Sequence, residues 1–138
     1  MLMTNELENA LKNYPNFNGV FAVDQLPEVA QPGLYIANTD ESNEDGEHWV
    51  LYYVCNDGTI EFLDTFGRKP HKRWHGDWKY NTRMIQCPLS TACGYHVLSY
   101  AHLRRFYPFE QIIGWYGEDL PQNDKIARYI ARRVYNVK

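Results

Sequence analysis

Cysteine is scarce in this chain. There are three, an odd number, and no C-x-x-C pair. That argues against a disulfide framework and a structural zinc site, and points to a reducing interior. Long apolar runs are missing as well. No stretch approaches the roughly 18 residues of a membrane-crossing helix, so no membrane contact is expected. The start, Met1-Leu2-Met3-Thr4-Asn5-Glu6, lacks the basic head and apolar centre of a secretory signal, and the expectation is a protein that is not secreted. Positive charge is not in excess, because the formal net charge is −3. The chain as a whole is therefore no electrostatic magnet for nucleic acid. No repeat, linker or low-complexity segment interrupts the 138 residues, which predicts a single domain over 1–138.

What is present suits a packed globule. Hydrophobic residues make up 44% and aromatic residues 15%, with eleven Tyr and four Trp, too much apolar surface for a disordered chain. Charge is unevenly spread. Residues 40–47 form an acidic stretch leading to His48, whereas Arg68-Lys69-Pro-His71-Lys72-Arg73 is basic and Arg128, Arg132 and Arg133 load the last helix. Such runs are usually solvated surface, and the sharper reading is an anion-binding face.

Asn5 is expected to cap a first helix, with Glu8 completing a capping box and Leu7, Leu11 and Tyr14 on one face. Residues 18–33 read largely as loop. Three strands follow at Gly33–Asn38, Glu47–Cys55 and Thr59–Asp64. The last two are joined by Asn56-Asp57-Gly58, a hairpin signal because Asp and Gly tolerate positive φ. The hairpin carries His48 at the start of one strand and Asp64 at the end of its neighbour, which places both at the same end of the sheet. Trp74 and Trp78 are read as one face of a short helix or as two core anchors. Arg83–Cys87 is expected to be a strand stopped by Pro88. The main helix is expected over 90–106, capped by Ser90 or Thr91, with Val97, Leu98, Ala101 and Leu103 apolar. A final helix opens near Asn123 or Asp124 and presents Ile126, Ile130 and Val134, an i, i+4, i+8 apolar stripe. The fold class is α+β, a central, mostly antiparallel sheet packed with helices.

Cys93 lies at the mouth of the main helix, in Gln86-Cys-Pro-Leu-Ser-Thr-Ala-Cys93-Gly94. A free cysteine is usually an inert small hydrophobe. At a helix N-terminus beside an imidazole it becomes a nucleophile, because both favour the thiolate. His48 is the candidate base and Asp64 the acid that fixes its tautomer. Gln86 is the candidate donor that joins the Cys93 N–H in an oxyanion hole. Trp49 and Gly94 are candidate walls of a substrate groove. His96, three residues after Cys93, is the rival base. It has no evident acidic partner and would point along the helix flank. Cys55 and Cys87 read as spectator thiols.

Glu47-His48-Trp49, Asp64-Thr65-Phe66-Gly67, and Gln86 with Ser90 and Cys93-Gly94, taken in this order, resemble the adenain family. These are the maturation proteases of adenoviruses, with relatives in virophages, polinton-type elements and large DNA viruses. The pattern is more distantly similar to SUMO and ubiquitin-like-protein proteases. The resemblance runs from about Asn16 to the last helix, in a chain clearly shorter than adenain. It implies a papain-like fold and a monomeric cysteine endopeptidase. The implied substrates are viral capsid or core precursors, cut at Gly-containing sites inside the virion or the host cytoplasm or nucleus. No metal and no cofactor for the chemistry is expected, though viral DNA or a peptide can act as activator in that family. The alternatives are an isopeptidase that removes ubiquitin-like modifiers and an inactive binding module that keeps the fold.

Overall fold

The Asp57-Gly58 turn does what its composition predicts. Gly58 takes a φ of +90°, and the Asp57 carboxylate accepts the Thr59 N–H at 2.9 Å. β3 (Trp49–Val54) and β4 (Thr59–Leu63) pair antiparallel across it, with Leu51 opposite Leu63. The computed structural model describes residues 1–39 and 48–138; the acidic stretch 40–47, including Glu47 of the expected strand, lies outside the described residues.

The protein is α+β, with one five-stranded sheet in the order β1-β2-β3-β4-β5. β2 (Gly33–Asn38) runs antiparallel to β3. The outer strands, β1 (Phe17–Ala22) beside β2 and β5 (Asp77–Tyr80) beside β4, are both parallel to their neighbours. The sheet is therefore mixed, which corrects the expectation of a mostly antiparallel one. β1 falls in the segment expected to be loop. It is a half-buried edge whose register shifts between Phe17 and Gly19, so it lacks the alternation that marks a strand in sequence. Trp78 stands on β5, and Trp74 is a core anchor, 6% exposed. The expected strand at 83–87 is absent. The N–H groups of Ile85 and Gln86 both turn to one acceptor, the Thr65 carbonyl, at 2.8 and 3.2 Å, instead of joining a ladder.

Alternation along the central strands divides two cores. Leu34, Ile36, Leu51 and Leu63 face the helices, while Tyr35, Tyr52, Phe62 and Trp74 cluster on the opposite face. The helices are α1 (Thr4–Leu11), α2 (Cys93–Arg104), α3 (Phe109–Trp115) and α4 (Leu120–Tyr135). α1 starts after Met3, whose N–H donates to Glu6 Oε1 at 3.0 Å; this is the reciprocal half of a capping box, two residues earlier than the Asn5–Glu8 pair. α2 starts three residues later than expected, with Ala92 at its cap. The Ser90 hydroxyl accepts only the Ala92 N–H, at 3.0 Å. At its far end, Arg104 forks onto the buried Glu61 carboxylate at 2.8 and 2.9 Å, and the Tyr100 hydroxyl donates to it at 2.8 Å. That ion pair ties the C-terminal half of α2 to β4.

α4 opens at an Asp119 cap, where Oδ1 accepts the Gln122 N–H at 3.2 Å. The apolar stripe is not the face that packs most deeply, and Ile130 is its one half-buried member. Ile126 and Val134 are 48% and 41% exposed, and Ala127 and Ala131 face inward instead. Asn123, Ala127 and Ala131 share the same i, i+4, i+8 spacing. Small side chains let α4 lie close to α2, which leaves the larger aliphatics outside.

Candidate active site

His48 immediately precedes β3, and Asp64 immediately follows β4. The hairpin register, continued past Leu51 and Leu63, sets His48 across from Phe66. The Phe66 ring stacks on the imidazole at 4.4 Å and 16°. His48 Nε2 lies 2.8 Å from Asp64 Oδ1, which leaves Nδ1 free to serve the Cys93 thiol, and that thiol is near enough to help raise the His48 pKa. All three are buried, at 5%, 2% and 2% exposure for His48, Asp64 and Cys93.

Burial alone would push the His48 pKa down. Its bond to Asp64 and the nearby Cys93 outweigh that and raise it above the ordinary value. For Asp64, burial pushes upward, but the His48 bond, the Phe66 N–H and the Arg68 charge prevail and hold it below the usual range. The ionised carboxylate accepts the Phe66 N–H on Oδ1 and the Arg68 Nε–H on Oδ2, both at 2.9 Å. Asn81 fixes the Asp64 backbone, accepting its N–H at 3.2 Å and donating to its carbonyl at 2.6 Å.

Gln86 is fully buried. Its Oε1 accepts the Thr65 hydroxyl, and its Nε2 donates to the Ser90 carbonyl at 2.9 Å. An amide nitrogen carries two hydrogens, so one donor remains. The Cys93 N–H, at the first position of α2, has no intrahelical acceptor and is the natural second donor. The turn at 64–67 therefore touches both His48 and Gln86. Asp64 holds the imidazole, Thr65 holds Gln86 and Phe66 stacks on His48. Gly67, at φ +76°, lies so close to the chain at Arg83 that a Cβ would sit 2.8 Å from its carbonyl carbon. Thr65, Phe66 and Asn81 have no site role in the sequence reading, where the Asp-Thr-Phe-Gly run is the one sign of the first two, and Arg68 counts there as part of the basic cluster, not as a partner of Asp64.

Two expected groove residues do not line a groove. Trp49 is 5% exposed and its indole N–H donates to the Leu2 carbonyl at 2.9 Å. A Cβ on Gly94 would come within 2.9 Å of the Leu2 Cβ. Both residues seat the N-terminal segment against α2. His96 also departs from expectation, because it has an acidic partner. Its Nε2 is 2.8 Å from Asp124 Oδ1 on α4, and its Nδ1 is buried with no partner among the described residues. It points away from the sulfur chemistry. Cys55 is half-buried beside Glu61, and burial with that carboxylate pushes its thiol up to about 11. Cys87 is half-buried as well.

An imidazole held by a carboxylate and near a thiol at a helix start, with a spare amide donor in the loop that leads to that helix, can carry out nucleophilic acyl transfer. Among the described residues no group of His, Cys, Asp or Glu is placed to hold a metal ion, and no helix is long and apolar enough to cross a membrane. Neither protein-family models nor curated protein sequences match this chain, so the reading of the site stands on its geometry.

Proposed function

We propose that the protein is a cysteine endopeptidase of adenain-like, papain-like fold. The observation that carries this reading is the buried His48–Asp64 pair, 2.8 Å apart, with the buried Cys93 near enough to help raise the His48 pKa. The Cys93 thiolate attacks the scissile carbonyl carbon, and the C–S bond forms as the carbonyl π pair moves to oxygen. The Cys93 N–H and the spare Gln86 hydrogen receive that oxyanion. His48 gives its Nδ1 proton to the leaving nitrogen as the C–N bond breaks, which leaves a thioester. Water then loses a proton to His48 and attacks the thioester. The C–S bond breaks, the acid product departs, and the thiolate–imidazolium pair is restored.

Substrate preference rests on the family likeness: viral structural precursors cut at Gly-containing sites during virion maturation, within the virion or host interior, by a monomer. Trp49 and Gly94 add nothing to it, since both are buried. The test is a panel of Gly-Gly precursor peptides and modifier conjugates, run against the wild-type and Cys93→Ala proteins. Wild type should cleave the peptides. Cys93→Ala should lose at least about 10⁴-fold in kcat while keeping the wild-type circular dichroism spectrum. Cleavage of conjugates alone would transfer the assignment to an isopeptidase, and a thiol no more reactive than an ordinary cysteine would make the protein a binding module.

A further inference from the structure

The first turn of α4 reaches into the loop that leads to the thiol, and the chemistry above makes no use of it. Asp124 is 2% exposed. Its Oδ1 lies 2.8 Å from His96 Nε2, its Oδ2 accepts the Cys87 N–H at 3.3 Å, and the Ser90 side chain is near enough to help hold its pKa down. Asn123, next to it, donates from Nδ2 to the Ile85 carbonyl at 3.1 Å and to the Gly117 carbonyl at 2.8 Å. Its Oδ1 accepts the Gly117 N–H at 3.0 Å.

These contacts fall at particular places. Ile85 and Cys87 flank Gln86, and the Ser90 carbonyl receives one hydrogen of the Gln86 amide. The segment between belongs to no helix or strand, so no ladder sets its shape. Burial would raise the Asp124 pKa, but the His96 bond and the nearby Ser90 prevail and keep the group below the usual carboxylate range. A tie between α4 and α2 alone would need only His96, because Ala127 and Ala131 already pack there. The Cys87 N–H that Asp124 also accepts lies in the loop.

We propose that Asp124, seconded by Asn123, is a positioning residue: it holds the loop 85–90 in the shape that presents the Gln86 amide beside the Cys93 N–H, so that α4 sets the oxyanion site from behind. The inference rests on the hydrolase reading above, and its test separates the two.

Asp124→Asn keeps the side-chain shape but offers one acceptor oxygen where His96 and the Cys87 N–H each now have their own. In the full-length protein, kcat on a Gly-Gly peptide should fall about 10–100-fold, the scale of a small misplacement at a catalytic group, with KM within about threefold. Binding of a peptide aldehyde, whose hemithioacetal places an oxyanion in the same hole, should weaken in parallel. Alkylation of Cys93 by iodoacetamide develops no oxyanion and reports only the thiolate, so its rate should stay within about twofold. Exchange of the Cys87 amide hydrogen should speed up about tenfold or more. Asn123→Ala should show the same pattern more weakly, and it serves if the first variant does not fold. Unchanged kcat overturns the proposal, as does an alkylation rate that falls as far as kcat, which would mean general loosening. Should the wild-type protein cleave nothing and its thiol be unreactive, the hydrolase reading fails. The Cys87 exchange rate then decides by itself whether Asp124 holds the loop, and no change refutes it.

Discussion

Asp64 accepts hydrogen bonds from His48, from the Phe66 backbone and from Arg68, far more than a strand-end turn former needs. The pairing has a defined pH window. His48 has a folded pKa above its ordinary 6.5, so its stabilising contribution is complete below that value and is lost as pH rises through the raised one. Asp64 is lowered from 3.8, so its contribution is complete above 3.8 and is lost as pH falls through the lowered value. Asp64→Asn removes the charge that sustains the imidazolium. The alkaline limb of kcat/KM should move to lower pH, and the maximal rate should drop about 10–1,000-fold without vanishing. A pH–rate profile checks both, and an unmoved limb would detach Asp64 from the proton chemistry. His96 presents the opposite case, a histidine whose role is support. His96→Ala leaves the buried Asp124 carboxylate with the Cys87 N–H as its one remaining hydrogen bond among the described residues. The expected cost is about 3 kcal/mol, and a thermal melt should show it as a fall of about 10 °C. A Tm within a degree or two of wild type would mean that the pair contributes nothing net.

Among the elements, α4 separates pattern from packing most clearly. Two i, i+4, i+8 stripes coexist on it, one large and aliphatic, the other built from Asn123, Ala127 and Ala131, and hydrophobicity favours the wrong one. The small stripe faces α2 because close approach and loop-holding are what that face supplies. Ile126→Ser should therefore change stability by less than about 1 kcal/mol. Ala131→Leu, at a site with no exposure, should cost about 1–3 kcal/mol through overpacking. Denaturant midpoints of the two variants decide the orientation, and the reverse order would mean that α4 is turned the other way. The β3–β4 hairpin was legible because its signal is local: two turn residues with positive-φ tolerance, flanked by strand formers. The His48–Asp64 meeting followed from it. β1 was not legible, since an edge strand with a glycine-bearing register shift carries no alternation. The 83–87 segment misled for the converse reason. It has strand composition, but its N–H groups turn to Thr65. The His96–Asp124 bond spans 28 residues, and nothing in residue type reveals which distant polar groups meet in a core.

For the molecule as a whole, charge placement outweighs net charge. The −3 balance conceals a cationic α4, where Lys125, Arg128, Arg132 and Arg133 have no counter-carboxylate on their own helix apart from buried Asp124. Part of that charge is committed locally. Arg128 and Arg132 both lie over the Tyr95 ring, and Arg132 donates to the Lys138 carbonyl at 2.8 Å. Arg73, in the 68–73 cluster, is likewise bound to the Val23 carbonyl, and Arg68 to Asp64. Lys69 and Lys72 are the groups in that cluster best suited to contact phosphate. If viral DNA activates this protein, as the family likeness implies, duplex DNA should raise cleavage of a DNA-bound precursor, and salt should abolish the effect steeply as released counterions are restored. Replacing Lys69, Lys72 and Arg73 together by Gln should remove the stimulation and leave basal peptide cleavage unchanged, because none of the three touches His48, Gln86 or Cys93. Each cation that no longer neutralises a phosphate should flatten the log–log salt slope by about 0.9, so the triple variant also reports how many of the three engage. Fluorescence anisotropy of labelled duplex against salt measures that slope directly. A flat signal at low salt would end the DNA reading and assign both basic regions to ordinary solvated surface.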